Sequence, residues 1–289
     1  MDLEKIEPLE LLEQQGYLLG FLGVMGGSST SHTNAFFYPD KETLVLIDLS
    51  LLNLEKATQL TRPGLKRVYL CVTHLHADHA SGIIMFCYWI RHEFPKIIPE
   101  IIVDKNILHP ATRHFIEEGG RVLDEDYIFK IIGVGTTVTD VFLRYDMKLL
   151  QPYLVMQTPE FLAGSIPTTH AARLSGASGF RFSIFGKQVI YSGDTNDATP
   201  FLEKVDAILD EKYFKDEPEV ELYIEASTTK WPAHLYFPRL ISQIRQRLND
   251  RRLKVILMHY NDPEYMEREV GKINQELCRQ AIYLAKELF

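Results

Sequence analysis

The chain has 289 residues, of which 46% are apolar and 24% charged, and its formal net charge is −8. That balance excludes a disordered or fibrous chain and allows a core large enough for a buried site, in one large domain or two closely related halves. The acidic total disfavours a long nucleic acid as partner, because gripping its backbone takes a basic face.

In chain order, the acidic start MDLEKIEPLELLEQQ lacks the basic and apolar stretches of a secretory signal. No apolar run reaches the ~18 residues a membrane span needs. A cytoplasmic protein with no membrane contact is therefore expected. Tyr17–Val24 and Leu44–Leu49 read as strands, the first ending in the glycine-rich turn at Gly26-Gly27. Arg67–Thr73 (RVYLCVT) reads as a buried strand, Ser81–Phe94 as a helix, Ile101–Val103 as a strand and Pro110–Glu118 as a helix. Asp126–Gln157 has the pattern of a strand meander. Phe180–Phe185 and Gln188–Ser192 form a predicted hairpin turning at Gly186-Lys187. Leu222–Glu225 and Lys254–Met258 are further strands, Leu235–Leu248 an amphipathic helix, and Ile273–Leu288 a predicted closing helix. The three cysteines, Cys71, Cys87 and Cys278, form no CxxC pair, and Cys71 and Cys87, lying in apolar runs, are expected to be reduced core residues. Strands with chemistry at their ends and helices between them imply layered α/β; periodicity alone does not separate a sheet-on-sheet sandwich from a doubly wound sheet.

The chemical signal is densest just after the strand at 67–73. His74, His76, Asp78 and His79 place four ligand types within six residues at a strand end, in a chain with ten histidines. A loop there can turn neighbouring imidazoles and a carboxylate toward one point, as a metal-hydrolase site needs. His92, His109 and His114 have no such partners and read as surface or packing residues. His32 reads as a turn residue.

The stretch THLHADHASG resembles the HxHxDH signature of the metallo-β-lactamase superfamily, and further elements of that family follow in order. Asp48, closing LVLID, resembles the aspartate that supports the metal loop from behind. His170 (TTHAARLSG), Asp194 (YSGDT) and His259 (VILMHY) resemble the later ligand motifs. The resemblance spans Tyr17 to Tyr260. It implies an αββα sandwich of two sheets flanked by helices, in a single domain over 1–289, and the segment 87–169 is long enough to hold extra strands or a lid. It also implies two metal ions, one on His74, His76 and His170, the other on Asp78, His79 and His259, with Asp194 shared. A nitrogen-and-oxygen set suits Zn²⁺ best, with Mn²⁺ or Fe²⁺ as alternatives. Two ions ~3.5–4 Å apart lower the pKa of a shared water and so generate a hydrolytic hydroxide.

The opening FLGVMGGSSTSHTNAFFY resembles the tRNase Z and cyclic-nucleotide phosphodiesterase branch. In that branch Glu225 (IEAS) and His234 correspond to a glutamate–histidine pair serving the leaving group. An alkoxide leaving group gains from such an acid. Only 23 residues separate His170 from Asp194, too few for the long basic arm that bacterial tRNase Z uses to hold tRNA. The expectation is therefore a metal-dependent phosphodiesterase for a small or cyclic-nucleotide phosphodiester, with Asp78, Glu225 and His234 catalytic and Ser175 and Ser178 as substrate donors. A lactonase or ester hydrolase and a tRNase Z-type RNA 3′-processing endonuclease are the alternatives. A homodimer is the family-level expectation.

Overall fold

The computed structural model describes residues 16–26, 31–119, 129–135, 142–146, 151–155, 159–168, 170, 176–210 and 219–288. Two sheets face each other. The first has eight strands: β1 (Gly20–Gly23), β2 (Asn34–Asp40), β3 (Thr43–Ile47), β4 (Arg67–Val72), β5 (Glu100–Asp104), β6 (Lys130–Val134), β7 (Phe142–Asp146) and β8 (Gln151–Val155), side by side in sequence order. The second has six: β9 (Leu162–Thr168), β10 (Ala177–Ile184), β11 (Lys187–Tyr191), β12 (Val220–Glu225), β13 (Leu253–Met258) and β14 (Ile282–Leu284).

Both sheets are mixed. β3 to β6 run parallel in the first, and β11 to β14 in the second. Parallel neighbours require crossovers, and helices supply them: α1 (Leu54–Gln59), α2 (Ala77–Ala80), α3 (Ile83–Glu93) and α4 (Leu108–Gly119) in the first half, α5 (Thr199–Asp210), α6 (Phe237–Ile244) and α7 (Pro263–Glu276) in the second.

The period of two along each strand sorts side chains between layers. In β3, Val45 and Ile47 enter the core between the sheets with Phe37, Cys71, Phe180 and Phe182. Leu44 and Leu46 point the other way and pack with Val72, Ile83, Phe86 and Ile90 under α3. Strands buried on both faces read as continuous apolar runs, which is why RVYLCVT and LVLID were conspicuous. Cys71 and Cys87 are buried and Cys278 is exposed, all three as free thiols.

The hairpin of β10 and β11 turns at Phe185-Gly186, one residue earlier than the sequence suggests. Both residues have positive φ (50° and 77°), as a type I′ turn demands. The predicted closing helix at 273–288 is corrected. α7 covers Pro263–Glu276, capped by Asp262 accepting from the Tyr265 N–H, and the chain then returns as β14, parallel to β13. Pairing of β14 with β13 outcompetes a helical continuation because Ile282 is buried against that strand. β2, β9, α1 and α5 were not anticipated, and Asp78 and His79, expected in a loop, lie on the short helix α2. The meander is described as β6 to β8, and the remainder of 126–157 lies outside the described residues. Among the described residues no helix is long and apolar enough to cross a membrane.

Candidate metal centre

The carboxyl ends of the parallel strands in both sheets open at the same edge of the sandwich, where open α/β sheets place their ligands. β3 delivers Asp48 there, β4 delivers Thr73 and His74, β11 leads to Asp194, β12 ends on Glu225, and β13 leads to His259. The two halves are tied across this edge by the Ser178 N–H donating to the Thr73 carbonyl at 3.0 Å. Asp48 and His259 both adopt left-handed φ of 58°, which costs a residue with a side chain about 1–3 kcal/mol. Gly193 also has positive φ, and a Cβ there would sit 2.8 Å from the Thr73 side chain, so only glycine lets the Asp194 turn close on the opposite half.

Asp48 is buried and organises the histidine loop. Its Oδ1 accepts the Thr73 N–H and its Oδ2 accepts the Thr73 hydroxyl and His79 Nδ1, each at 2.8 Å. The Thr73 oxygen, committed as donor to Asp48, is left to accept from His74 Nδ1 at 3.0 Å. His170 Nδ1 donates to the Ala233 carbonyl at 3.0 Å. Three imidazoles are thus pinned through Nδ1, which leaves each Nε2 with its lone pair. Outer partners fix metal-binding histidines in this way.

Those lone pairs converge. His74 Nε2 lies 3.1 Å and His170 Nε2 3.3 Å from His76 Nδ1. Tetrahedral ligands at ~2.0–2.1 Å from a zinc ion would stand ~3.3 Å apart, so the triad has the spacing of three ligands on one cation. A second cluster joins Asp78, His79, Asp194 and His259. There His79 Nε2 lies 3.5 Å from Asp78 Oδ2 and 3.3 Å from Asp194 Oδ1, and His259 Nδ1 lies 3.4 Å from Asp194 Oδ1. Asp194 Oδ2 is 3.9 Å from His170 Nε2, so its two oxygens address the two clusters separately. His79 Nε2 is buried without a hydrogen-bond partner, a donor set short of one positive ion.

Glu225 joins this centre to a further histidine. Its Oε2 accepts the Thr195 N–H at 2.6 Å, and its Oε1 takes His259 Nδ1 at 3.0 Å and, in a short contact, His234 Nδ1. His234 is half-buried, its Nδ1 is 4.0 Å from Asp194 Oδ2, and its ring centroid is 5.5 Å from that of His170.

The charges fit a centre built for cations. Burial, reinforced by the neighbouring His79, holds His74 well below the usual imidazole range. Burial likewise dominates at His170 and lowers it. Burial is also the largest influence on His79, but Asp194 and Asp48 overcome it and raise this imidazole well above its ordinary value. His259 is pushed up to about 9 because Asp194 and Glu225 outweigh its burial. Asp194 is held well below the carboxylate range, the charges on His259 and His79 prevailing over desolvation. Asp78 is likewise lowered by its bond to His79 in spite of partial burial. His234 is raised, its bond to Glu225 exceeding the burial penalty.

All seven residues expected as ligands are brought together, with Asp48 behind them. Glu225 was expected to steer His234 alone, and it also contacts His259. Ser178 is buried, with its hydroxyl unpartnered and its backbone spent on Thr73. Ser175 lies outside the described residues. Sequence reasoning did not single out Thr73, which relays Asp48 to His74, or Asn34, whose amide donates to the Asp78 carbonyl at 3.2 Å and whose Oδ1 accepts the Ser50 N–H at 3.0 Å. A buried Asn beside a strand end was the available signal.

A family model described as Anti-Pycsar protein Apyc1 matches residues 18–282. No curated protein matches the sequence. Among solved structures, the metallo-β-lactamase fold protein YhfI from Bacillus subtilis is 14% identical at TM-score 0.58, over 94% of this chain and 96% of that one. Unliganded yeast PDE1 is 14% identical at TM-score 0.64, over 93% and 97%. Human tRNase Z, short form, is 15% identical at TM-score 0.57, over 94% and 97%. The architecture is the metallo-β-lactamase fold.

Proposed function

Because the chain belongs to the Anti-Pycsar protein Apyc1 family, we propose that it is a single-domain, two-zinc phosphodiesterase that opens a small or cyclic-nucleotide phosphodiester. The observation that carries this reading is the position of Asp194, with one oxygen on each ligand cluster, beside the Glu225–His234 pair. A pair of ligand sets supports a pair of ions, and a histidine outside both sets is available for acid–base work. The family's description agrees with cyclic-nucleotide degradation.

When bound, two divalent ions would supply Lewis acidity toward the phosphoryl oxygens and lower the pKa of water between them. The chain's own residues do the rest. Asp78 and Asp194 accept hydrogen bonds from the attacking water and fix its direction. His234 has Nδ1 engaged by Glu225, so Nε2 is the atom that meets the leaving oxygen. Burial disfavours its charged form, but the bond to Glu225 outweighs that and raises its pKa, the direction a general acid needs. Glu225 engages Nδ1 and so fixes the ring's orientation.

The test is zinc content measured on the same preparation that is offered 2′,3′- and 3′,5′-cyclic nucleotides, a lactone panel and a pre-tRNA. Turnover of the cyclic nucleotides by protein holding two ions is the expected result. Lactone turnover alone would move the reading to an ester hydrolase, and pre-tRNA cleavage alone to RNA processing.

A further inference from the structure

Beside His234, and away from the seven ligands, lies a cavity of about 660 Å³ lined by Asn196, Lys230, Trp231, Tyr236 and Arg239 among others. That volume is in the range of sites that enclose a ligand the size of a nucleotide. Trp231 lines this cavity and is 60% exposed, and the chain has only one other tryptophan, Trp89, which stacks on Phe86.

The segment carrying Trp231 is held on both sides of the site. The Asn196 amide donates to the Pro232 carbonyl at 3.0 Å, His170 Nδ1 donates to the Ala233 carbonyl at 3.0 Å, and His234 is gripped by Glu225. The His234 N–H closes the turn on the Trp231 carbonyl at 3.3 Å. Two of these anchors belong to the metal centre itself, so the indole is carried at a set place relative to it. An aromatic platform fixed in this way loses little entropy when it stacks.

We propose that this cavity is the nucleobase subsite of the enzyme, with the base stacked on Trp231 and its acceptor edge met by Lys230 and Arg239. The inference rests on the phosphodiesterase reading for the placement of phosphate. It follows from that placement that the nucleoside lies on the leaving-group side, because His234 borders both the centre and the cavity. Lys230 and Arg239 carry donors only, so they select ring carbonyls and unprotonated ring nitrogens, groups that every nucleobase presents on at least one edge. Stacking is tolerant of base identity because each base has a π-face, which gives a subsite that demands a base without demanding one particular base.

The test is equilibrium binding to zinc-loaded protein, without turnover. In Trp89→Phe protein, Trp231 is the sole tryptophan, and adenosine or uridine 5′-monophosphate should quench its emission on binding. Ribose 5-phosphate, which lacks a base, should bind without quenching. By calorimetry, Trp231→Ala should weaken both nucleotides about tenfold to a hundredfold, toward the affinity of ribose 5-phosphate, and leave ribose 5-phosphate itself unchanged. Trp231→Phe should restore most of the loss, and the unchanged affinity for ribose 5-phosphate in Trp231→Ala is what a merely structural tryptophan would not predict. Absence of quenching, or equal losses for nucleotides and ribose 5-phosphate, would overturn the subsite. Quenching by nucleotides in protein that hydrolyses no cyclic nucleotide would keep the subsite and remove the phosphodiesterase reading, so the two fail separately.

Discussion

Replacing His234 by alanine removes the one imidazole at the centre that belongs to neither proposed ligand set. His74 and His170 keep their spacings of 3.1 and 3.3 Å to His76, and Asp194 keeps its contacts with His79 and His259. Bound zinc should therefore stay near two ions per chain. What disappears is the proposed acid, a ring whose pKa is raised by its bond to Glu225. General acids of this kind contribute about 10²–10⁴ in rate, or about 3–5 kcal/mol of barrier at 1.36 kcal/mol per tenfold. Because Glu225 stays paired with His259 and Thr195, collapse of the carboxylate is not expected to add to that figure. The assay is kcat on a 3′,5′-cyclic nucleotide, whose sugar alkoxide needs a proton, compared with bis-p-nitrophenyl phosphate, whose phenolate leaves without one. The loss should reach 10²-fold or more on the first and shrink to about tenfold or less on the second. Equal losses on both substrates, with zinc retained, would refute the assignment of His234 as the acid.

Three further outcomes follow from the same geometry. Asp194→Asn should weaken the hold on the ions at both clusters, so mass spectrometry of the native protein should show zero or one ion where the parent shows two. Asp48→Ala leaves Thr73 and His79 without their shared acceptor and should weaken zinc binding about 10–100-fold by competition with a chelator, with every ligand intact. The metal-free protein should lose stability as pH rises. The folded pKa of His259 is raised to about 9 from 6.5, so its contribution is complete below pH 6.5 and vanishes as pH passes about 9; that gap caps the share of this one residue at about 3 kcal/mol. Thermal melts of chelator-treated protein at pH 6, 7.5 and 9 measure it. Zinc affinity should move the opposite way and rise with pH over this range, because binding releases the His259 proton.

Parts of this molecule are legible from short stretches of chain, and those are the parts whose cause is local. The strand at 67–72 and the histidine loop after it declare themselves because a doubly buried strand is continuously apolar and four ligand types fall within six residues. Asp194 and His259 stand alone in sequence, and only a resemblance to a family of motifs picks them out. β2 escaped because its NAFFYPD mixes a buried Asn and a Pro into an otherwise apolar run, and Asn34 is needed there to hold the carbonyl of Asp78. The tail was misread for a different reason. Its residues suit a helix locally, and it becomes a strand only because β13 offers an edge. Glu225 shows the limit most clearly. Its two histidine partners lie 9 and 34 residues away, and nothing nearer than the folded sandwich brings them to one carboxylate oxygen.

The most direct measurement is the number of metal ions held by each chain after exposure to zinc and removal of the excess. Two per chain, falling to zero or one in Asp194→Asn, is the predicted count. A parent protein that retains none would contradict the convergence of lone pairs from which the proposed chemistry is derived.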